Sequence, residues 1–197
     1  VMGFKSWYEA RVMPRLITCA CSQGQVMKRR AGVVPRARGD VFELGCGGGI
    51  NHQFYDARAI TSYAGIDPHE GLLESARAAA RAKGWAADLR AGRGEAIPFA
   101  DASFDCVVCT FTLCSVDDPA QVMREMRRIL RPGGAALFLA GVVVRHGEGH
   151  EVLQLHAVLG IDVERQLKGA VHQVLGEVAR GPTFLAAFPA FTIAPLP

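Results

Sequence analysis

The sequence contains no uninterrupted apolar run near the roughly 20 residues that a membrane-spanning helix needs. Its first residues also lack the charged, apolar and small-residue regions of a secretory signal. Aromatic residues make up only 8% and charged residues 21%, while half of the 197 residues are hydrophobic. This composition is typical of a soluble globular protein and is sufficient for one α/β domain with a buried core. We therefore expect a cytoplasmic protein.

A second CxxC motif, which a four-cysteine metal site would need, is also missing. The six cysteines do not form two CxxC pairs, and three of them fall in the apolar segment 104–114, which we expect to be buried. The sequence therefore disfavours a zinc site or a disulfide framework and favours reduced thiols. The segment "HGEGH", residues 146–150, resembles a metal-ligand cluster but lacks a clear third region of ligands. We predict a polar loop there and no metal.

Acidic residues are scarce at the beginning of the chain, although the net charge is only +3. Residues 1–38 carry eight Lys or Arg residues against the single acid Glu9. Such a segment can contact anionic lipid head groups or nucleic acid, or it can be the solvated face of ordinary helices. We predict that residues 1–39 form a basic helical arm or lid, for which peripheral contact with an anionic membrane is one role.

Apolar runs alternate with helix-compatible segments through the middle of the chain. The pattern predicts strands at 41–44, 62–67, 87–91, 104–113 and 135–144, and helices at 23–31, 69–84 and 118–134, with another helix beginning at 51–57. This alternation predicts an α/β fold with a doubly wound, mostly parallel sheet and helices on both faces.

The pattern is less regular after residue 145. Helical segments are plausible at 150–159 and 163–179, followed by strand-like apolar residues at 183–193. The final stretch, 181–197, carries no charged residue, so it either packs as an inserted strand or is disordered. We treat 146–197 as a divergent C-terminal part that completes the sheet or an acceptor pocket.

The most informative motif is the segment 45–49, where four of five residues are glycine. Glycine is needed where a loop turns sharply or lets a ligand approach the main chain. A nicotinamide fingerprint GxGxxG beginning at Gly45 would require glycine at position 50, which is Ile50. The run from Glu43 to Gly49 instead has the pattern E-x-G-x-G-G-G.

Four segments in register resemble the motifs of class I S-adenosylmethionine-dependent methyltransferases. They are the glycine run, Asp67 in "YAGIDP", "GEAIPFADASFDCVV" and "MREMRRILRPGGAALFL", which together cover residues 40–141. The segments "WYEARVMPRL", "INHQFYD" and "CTFTLCSVDDP" resemble the type 11 branch, which includes quinone, phospholipid and thiol methyltransferases. The resemblance implies a Rossmann-like core at 40–145 and S-adenosyl-L-methionine as the cofactor.

The resemblance also implies how the cofactor is held. Backbone N–H groups from Cys46 to Gly49 would receive its carboxylate, and Glu43 or the loop carbonyls would take its ammonium group. Asp67 would accept the ribose hydroxyls, or it could serve as a helix cap beside the next residue. Arg93 stands where relatives often have an adenine-binding Asp or Ser, so Glu95 or a backbone carbonyl would have to serve. The expected cofactor-binding residues are Glu43, Gly45, Cys46, Gly47, Gly49, Asp67, Pro68, Glu95, Ala96 and Thr110.

Methyl transfer is an in-line displacement in which a protein mainly aligns the donor with the acceptor and excludes water, worth roughly 7–11 kcal/mol. No catalytic triad is therefore expected, and the sequence does not identify a catalytic residue. His52 and Tyr55 follow the glycine loop and are candidates to face the acceptor, although an ordinary helix-start residue is the favoured interpretation of His52. Tyr8 is a third candidate, as part of an aromatic lid or of simple helix packing.

We therefore predict an S-adenosylmethionine-dependent methyltransferase that acts on a small-molecule or lipid-like acceptor. The alternative is a non-catalytic S-adenosylmethionine-binding module or partner subunit, because the segment after residue 145 departs from the family pattern. Methylation of nucleic-acid bases is disfavoured, since residues 110–113 are Thr-Phe-Thr-Leu instead of an N/D-P-P-Y/F motif.

Overall fold

A single six-stranded sheet forms the centre of the computed structural model, which describes residues 24–146 and 149–159. The strands are β1 (Gly39–Leu44), β2 (Ile60–Asp67), β3 (Ala87–Ala91), β4 (Phe104–Thr110), β5 (Leu130–His146) and β6 (Gly149–Leu159). Their order is β3-β2-β1-β4-β5-β6. Strands β1 to β5 pair in parallel, and β6 pairs antiparallel with β5.

Within the described part of the chain, three α-helices flank the sheet: α1 (Gly24–Val33), α2 (Glu70–Ala82) and α3 (Pro119–Ile129). Helix α3 begins where the sequence predicts, because Asp118 caps it by accepting a hydrogen bond from the Gln121 N–H at 2.9 Å. Pro119 follows at the first helical position, where its missing N–H has no cost.

The helices lie on both faces of the sheet and bury two hydrophobic cores. On one face, α2 residues Leu73 and Ala76 pack with Val33, Val41 and Val108. On the other face, α3 residues pack against alternate residues of β1 and β4, a cluster that includes Phe42, Val107, Val122, Met126 and Ile129. These layers confirm the predicted Rossmann-like α/β fold.

Strand β1 lies at the point where the winding of the sheet reverses. It pairs with β2 on one side and with β4 on the other. The loops that leave these strands therefore diverge and open a crevice at their carboxyl ends, where open α/β sheets bind ligands. The fold thus brings the glycine loop, Asp67 and Thr110 to one edge.

Two predicted helices differ from the structure. The helix expected from residue 51 is only a four-residue 3₁₀ turn, Ile50–Gln53. Helix α3 ends at Ile129, five residues before its predicted end, and β5 begins at Leu130. The register passes from Leu130 opposite Phe104 to Ala135 opposite Cys106, so 131–134 form an irregularity around the Pro-Gly-Gly sequence.

The helix predicted at 150–159 is wrong, because this segment is strand β6. It pairs with β5 from His146 opposite Gly149 to Ala136 opposite Leu159. Antiparallel pairing with the preceding strand β5, from which only residues 147–148 separate it in the chain, overrides the local helical pattern.

Several predictions concern residues outside the described ranges. They are the first part of the arm, 1–23, with Tyr8, the two residues 147–148 of the predicted polar loop, the helix at 163–179 and the strand-like segment at 183–193. The other residues of that loop, His146, Gly149 and His150, belong to β5 and β6, so the loop prediction is wrong for them. Within the described ranges, four of the basic residues of the arm are exposed: Lys28, Arg29, Arg36 and Arg38. None of the described helices is both long and apolar enough to cross a bilayer.

We predict that Met126→Ala lowers the free energy of unfolding by about 2–5 kcal/mol, because it leaves a cavity between α3 and the sheet. Arg127→Ala is the matched control, since Arg127 is exposed on the same helix and should change stability by less than about 0.5 kcal/mol. Urea unfolding of both variants measures the difference. Equal losses would contradict the packing of α3 on this face.

Candidate functional site

A cavity of about 440 Å³ opens at the carboxyl ends of β1, β2 and β4. Most residues predicted to bind a cofactor line it, namely Glu43, Gly45, Cys46, Gly47, Asp67, Pro68, Glu95 and Thr110. Gly49 and Ala96 are not among its lining residues. The sheet therefore gathers residues from separate parts of the chain around one space.

The glycine loop is bound to the end of β2 by its own amides. The N–H groups of Gly45 and Cys46 both donate to the Ile66 carbonyl, at 2.9 and 3.1 Å. The Gly47 N–H donates to the Asp67 carboxylate at 3.0 Å, and the Gly49 N–H donates to the Cys46 carbonyl at 2.9 Å. Of the four N–H groups predicted to receive a carboxylate, three are thus already used within the protein.

Gly45 shows why this loop needs glycine. Its φ is 68°, in the left-handed region, and a Cβ there would overlap the side chain of Thr112. The Thr112 hydroxyl in turn donates to the Leu44 carbonyl at 3.2 Å. The end of β1 is therefore packed directly against the segment after β4, with no space for a side chain.

Asp67 projects from the end of β2 into the cavity and is only 7% exposed. One carboxylate oxygen accepts the Gly47 N–H, and the other accepts the His69 N–H at 2.9 Å. The residue before α2 is His69, so Asp67 braces the turn into that helix without being its capping residue. Each carboxylate oxygen can accept more than one hydrogen bond, which leaves Asp67 capacity for hydroxyl groups of a ligand.

Glu43 is buried behind the glycine loop, at 1% exposure. Its Oε2 accepts the hydroxyls of Tyr55 at 2.7 Å and Tyr63 at 2.6 Å, and its Oε1 accepts the Asn51 amide at 2.7 Å. Burial raises the pKa of Glu43, and these three hydrogen bonds oppose that rise. Both oxygens therefore hold segments of the protein together around the loop, and binding of a ligand's ammonium group by Glu43 stays a prediction.

Arg30 forms the wall of the cavity on the β4 side, and sequence reasoning missed it. Its Nη1 donates to Asn51 Oδ1 at 2.6 Å and to Thr110 Oγ1 at 2.7 Å. Its guanidinium carbon lies 5.1 Å from the centroid of the Phe111 ring. The available signal was spacing, because Arg30 occupies a core position on α1, three residues before buried Val33.

The opposite end of the cavity is lined by residues 92–95 of the loop after β3. The Glu95 carboxylate accepts the N–H groups of Asp117 at 2.9 Å and Asp118 at 3.3 Å, while Arg93 pairs with both Asp117 and Glu95. Burial acts to raise the pKa of Glu95, but the backbone hydrogen bonds and Arg93 hold it below its usual value. Glu95 therefore fastens this loop to the start of α3.

His52 and Tyr55 do not face the cavity. His52 is 2% exposed and packs edge-on against Tyr63, with a ring-centroid distance of 4.9 Å, and beside Trp85 at 5.5 Å. Burial, with a contribution from Lys83, lowers the pKa of His52 to about 4. The Tyr55 hydroxyl is held by Glu43, and burial raises its pKa well above 10. We therefore assign neither residue a role as a catalytic base.

Neither a thiolate nor a metal centre is formed by the described residues. Cys46 lines the cavity, but burial raises the pKa of its thiol, and the nearby carboxylates of Glu43 and Asp67 raise it further. Burial likewise raises the pKa of Cys106 to about 11. Within 24–146 and 149–159, no three His, Cys, Asp or Glu side chains are grouped as metal ligands.

Comparisons with known proteins agree with this geometry. The family model described as a methyltransferase domain matches residues 42–138. Thiol S-methyltransferase TMT1B of Homo sapiens is 39% identical over 108 residues, covering 54% of this chain and 44% of the relative. The ubiquinone/menaquinone biosynthesis C-methyltransferase UbiE of Desulfotalea psychrophila is 31% identical over 132 residues, covering 63% of this chain and 52% of the relative.

Among solved structures, the YcgJ protein of Bacillus subtilis matches with a TM-score of 0.50 and 26% identity, covering 60% of this chain and 50% of that one. The chain belongs to the class I S-adenosylmethionine-dependent methyltransferases of type 11. It spans about half the length of the curated relatives it matches.

The cavity fits S-adenosylmethionine on two observations. A Cβ placed on Gly47 would have only the Asp67 carboxylate near it, at 3.9 Å, so the loop there faces open space. Asp67 itself is buried at the cavity wall with acceptor capacity for two ribose hydroxyls. A compact backbone turn beside an acid on the next strand suits a nucleoside that lacks phosphate.

We predict that protonation of His52 weakens folding in acid. Its pKa falls from 6.5 in the unfolded chain to about 4 when folded, so only the unfolded chain is protonated between these values. Stability should therefore decrease as the pH falls from 6.5 to 4, by up to about 3 kcal/mol from this residue.

His52→Phe tests this prediction, because a phenyl ring can occupy the same aromatic cluster without titrating. Urea unfolding of the wild-type protein and the variant at pH 7 and pH 4.5 should give a smaller pH-dependent loss for the variant. If the two proteins lose the same free energy, His52 does not titrate as the structure indicates.

Proposed function

We propose that this domain transfers the methyl group of S-adenosylmethionine to a small-molecule acceptor. The observation that carries the proposal is the cavity at the switch point of the sheet, where Asp67 lies beside the glycine loop. When bound, the cofactor supplies an electrophilic methyl group on a sulfonium. The chain spans only about half of the relatives' length. The activity of the whole protein is therefore a proposal as well.

Different residues of the cavity bind different parts of the cofactor in this proposal. Asp67 orients the ribose, and the backbone of Gly45, Cys46 and Gly47 gives the cofactor a surface without side chains. Pro68, Arg93 and Glu95 border the adenine end. Glu43, Gly49 and Ala96 shape the surrounding loops, and Thr110 with Phe111 borders the part of the cavity next to β4.

The part of the cavity next to β4 favours an acceptor group that ionises without help. The described residues beside β4 are Arg30, Asn51, Thr110, Phe111 and Thr112, which include no carboxylate or imidazole to serve as a base. A thiol has a pKa near 8.5 and is partly ionised at neutral pH, and a thiolate is a strong nucleophile. This chemistry and the similarity to a thiol S-methyltransferase support a thiol acceptor.

We predict that Asp67→Ala weakens binding of S-adenosylhomocysteine about 100-fold or more, because charge-assisted hydrogen bonds to the ribose contribute about 1.5–3 kcal/mol each. Asp88→Ala is the control, since Asp88 is exposed on β3 and pairs only with Arg90 among the described residues. Isothermal titration calorimetry measures both. Unchanged affinity in Asp67→Ala would exclude this cavity as the cofactor site.

We further predict that thiols are methylated faster than amines or phenols of similar size. The value of kcat/KM for a thiol should rise about tenfold for each pH unit below the pKa of that thiol and then level off, because the described residues next to β4 supply no base. Product formation can be followed by mass spectrometry with hydrophilic and long-chain thiols. Cofactor binding without turnover on any acceptor would instead support a non-catalytic module.

A further inference from the structure

Arg30 is a buried cation without a paired anion. Its residue exposure is 4%, and within the described residues no carboxylate oxygen lies within the 4.0 Å distance of an ion pair. The positive charge of Arg30 acts to lower the pKa of Glu43, but both oxygens of Glu43 accept hydrogen bonds from Tyr55, Tyr63 and Asn51. Burying a charge is costly unless it is paired and hydrogen-bonded. A ligand anion at this wall would remove that cost.

The guanidinium group is held in one orientation before any ligand arrives. Nη1 donates to the neutral oxygens of Asn51 and Thr110, and the Phe111 ring lies against the planar group. The Nε atom is buried and has no hydrogen-bond partner among the residues that the structure describes. A nine-tenths-buried donor of this kind on a cavity wall indicates a missing acceptor.

The other candidates for binding a carboxylate are weak in this structure. Three of the four loop amides at 46–49 are engaged within the protein, by Ile66, Asp67 and Cys46. The following turn, Ile50–Gln53, has only four residues, so its dipole is small. On the β2 side of the cavity, Asp67 would repel an anion. Arg30 lies on the β4 side, with Thr110, and is therefore the best placed cation.

We infer that Arg30 binds the α-carboxylate of the methionine portion of the cofactor, through the edge of its guanidinium that the protein leaves without an acceptor. This inference rests on the proposed function. It makes Arg30 a determinant of specificity, because the residue distinguishes ligands with the amino-acid tail from those that carry only the adenosine portion. Asn51, Thr110 and Phe111 are then positioning residues for the guanidinium.

The test compares Arg30→Met and Arg30→Lys with two ligands, S-adenosylhomocysteine and its decarboxylated analogue. We expect Arg30→Met to weaken binding of S-adenosylhomocysteine about 10- to 100-fold and to leave the affinity for the decarboxylated analogue unchanged. Arg30→Lys keeps the charge but loses the planar fork, so its loss should be smaller and again confined to the carboxylate ligand. Calorimetry gives both affinities, and thermal unfolding verifies that each variant is folded.

Arg29→Met is the matched control, because Arg29 is the neighbouring exposed residue on α1 and should change neither affinity. Equal weakening of both ligands by Arg30→Met would show a structural role and overturn the inference. Unchanged affinity for S-adenosylhomocysteine, with a raised KM for an anionic acceptor, would assign Arg30 to the acceptor and also overturn it.

The wild-type protein provides a measurement that does not depend on folding of the variants. It must bind S-adenosylhomocysteine more tightly than the decarboxylated analogue, and equal affinities would overturn the inference without affecting the proposed function. If neither ligand binds the wild-type protein, the proposed function itself fails. The two failures are therefore distinguishable.

Discussion

The buried carboxylate of Glu43 is the constraint on which the geometry of the site depends. It stands at the end of the central strand, on the face where the alternation of β1 would otherwise place an apolar residue. Burial penalises its charge, so the surrounding chain must supply donors. Those donors come from separate segments. Asn51 lies in the 3₁₀ turn that follows the glycine loop, Tyr55 follows that turn, and Tyr63 lies on β2. One carboxylate thus fixes three elements around the loop.

From Glu43 the hydrogen-bonded network continues into the cavity through Asn51, which donates to both Glu43 and Thr110 and accepts from Arg30. Thr110 in turn accepts hydrogen bonds from both Asn51 and Arg30, so the network runs without a break from Glu43 to the cavity wall. The two sides of the cavity therefore carry opposite charges, with the Asp67 carboxylate on β2 and the Arg30 guanidinium beside β4. A zwitterionic ligand with a hydroxyl-bearing sugar matches that polarity.

The sequence was sufficient to predict the parallel core, because its strands are apolar runs bounded by glycine, proline and acids, and α2 and α3 have their expected beginnings. Asp67 could be placed at the cavity because it ends a strand. Local patterns could not show that β6 is a strand, since the spacing of its apolar residues is also compatible with a helix and its pairing with β5 decides the conformation. They also could not show that Glu43 turns inward, because its partners lie 8, 12 and 20 residues away. Arg30 was grouped with exposed basic neighbours for the same reason.

Phe111 joins the two halves of this arrangement at the end of β4. Its φ is 57°, a conformation that an aromatic residue adopts only at a cost of about 1–3 kcal/mol. The backbone N–H of Phe111 donates to the Leu139 carbonyl at 2.6 Å, which anchors the strained residue to β5. The left-handed turn sets the ring against the Arg30 guanidinium instead of continuing the strand. Glycine would relieve the strain but would remove the ring that lies over the Arg30 guanidinium, so the strained residue is part of the packing of the cavity wall.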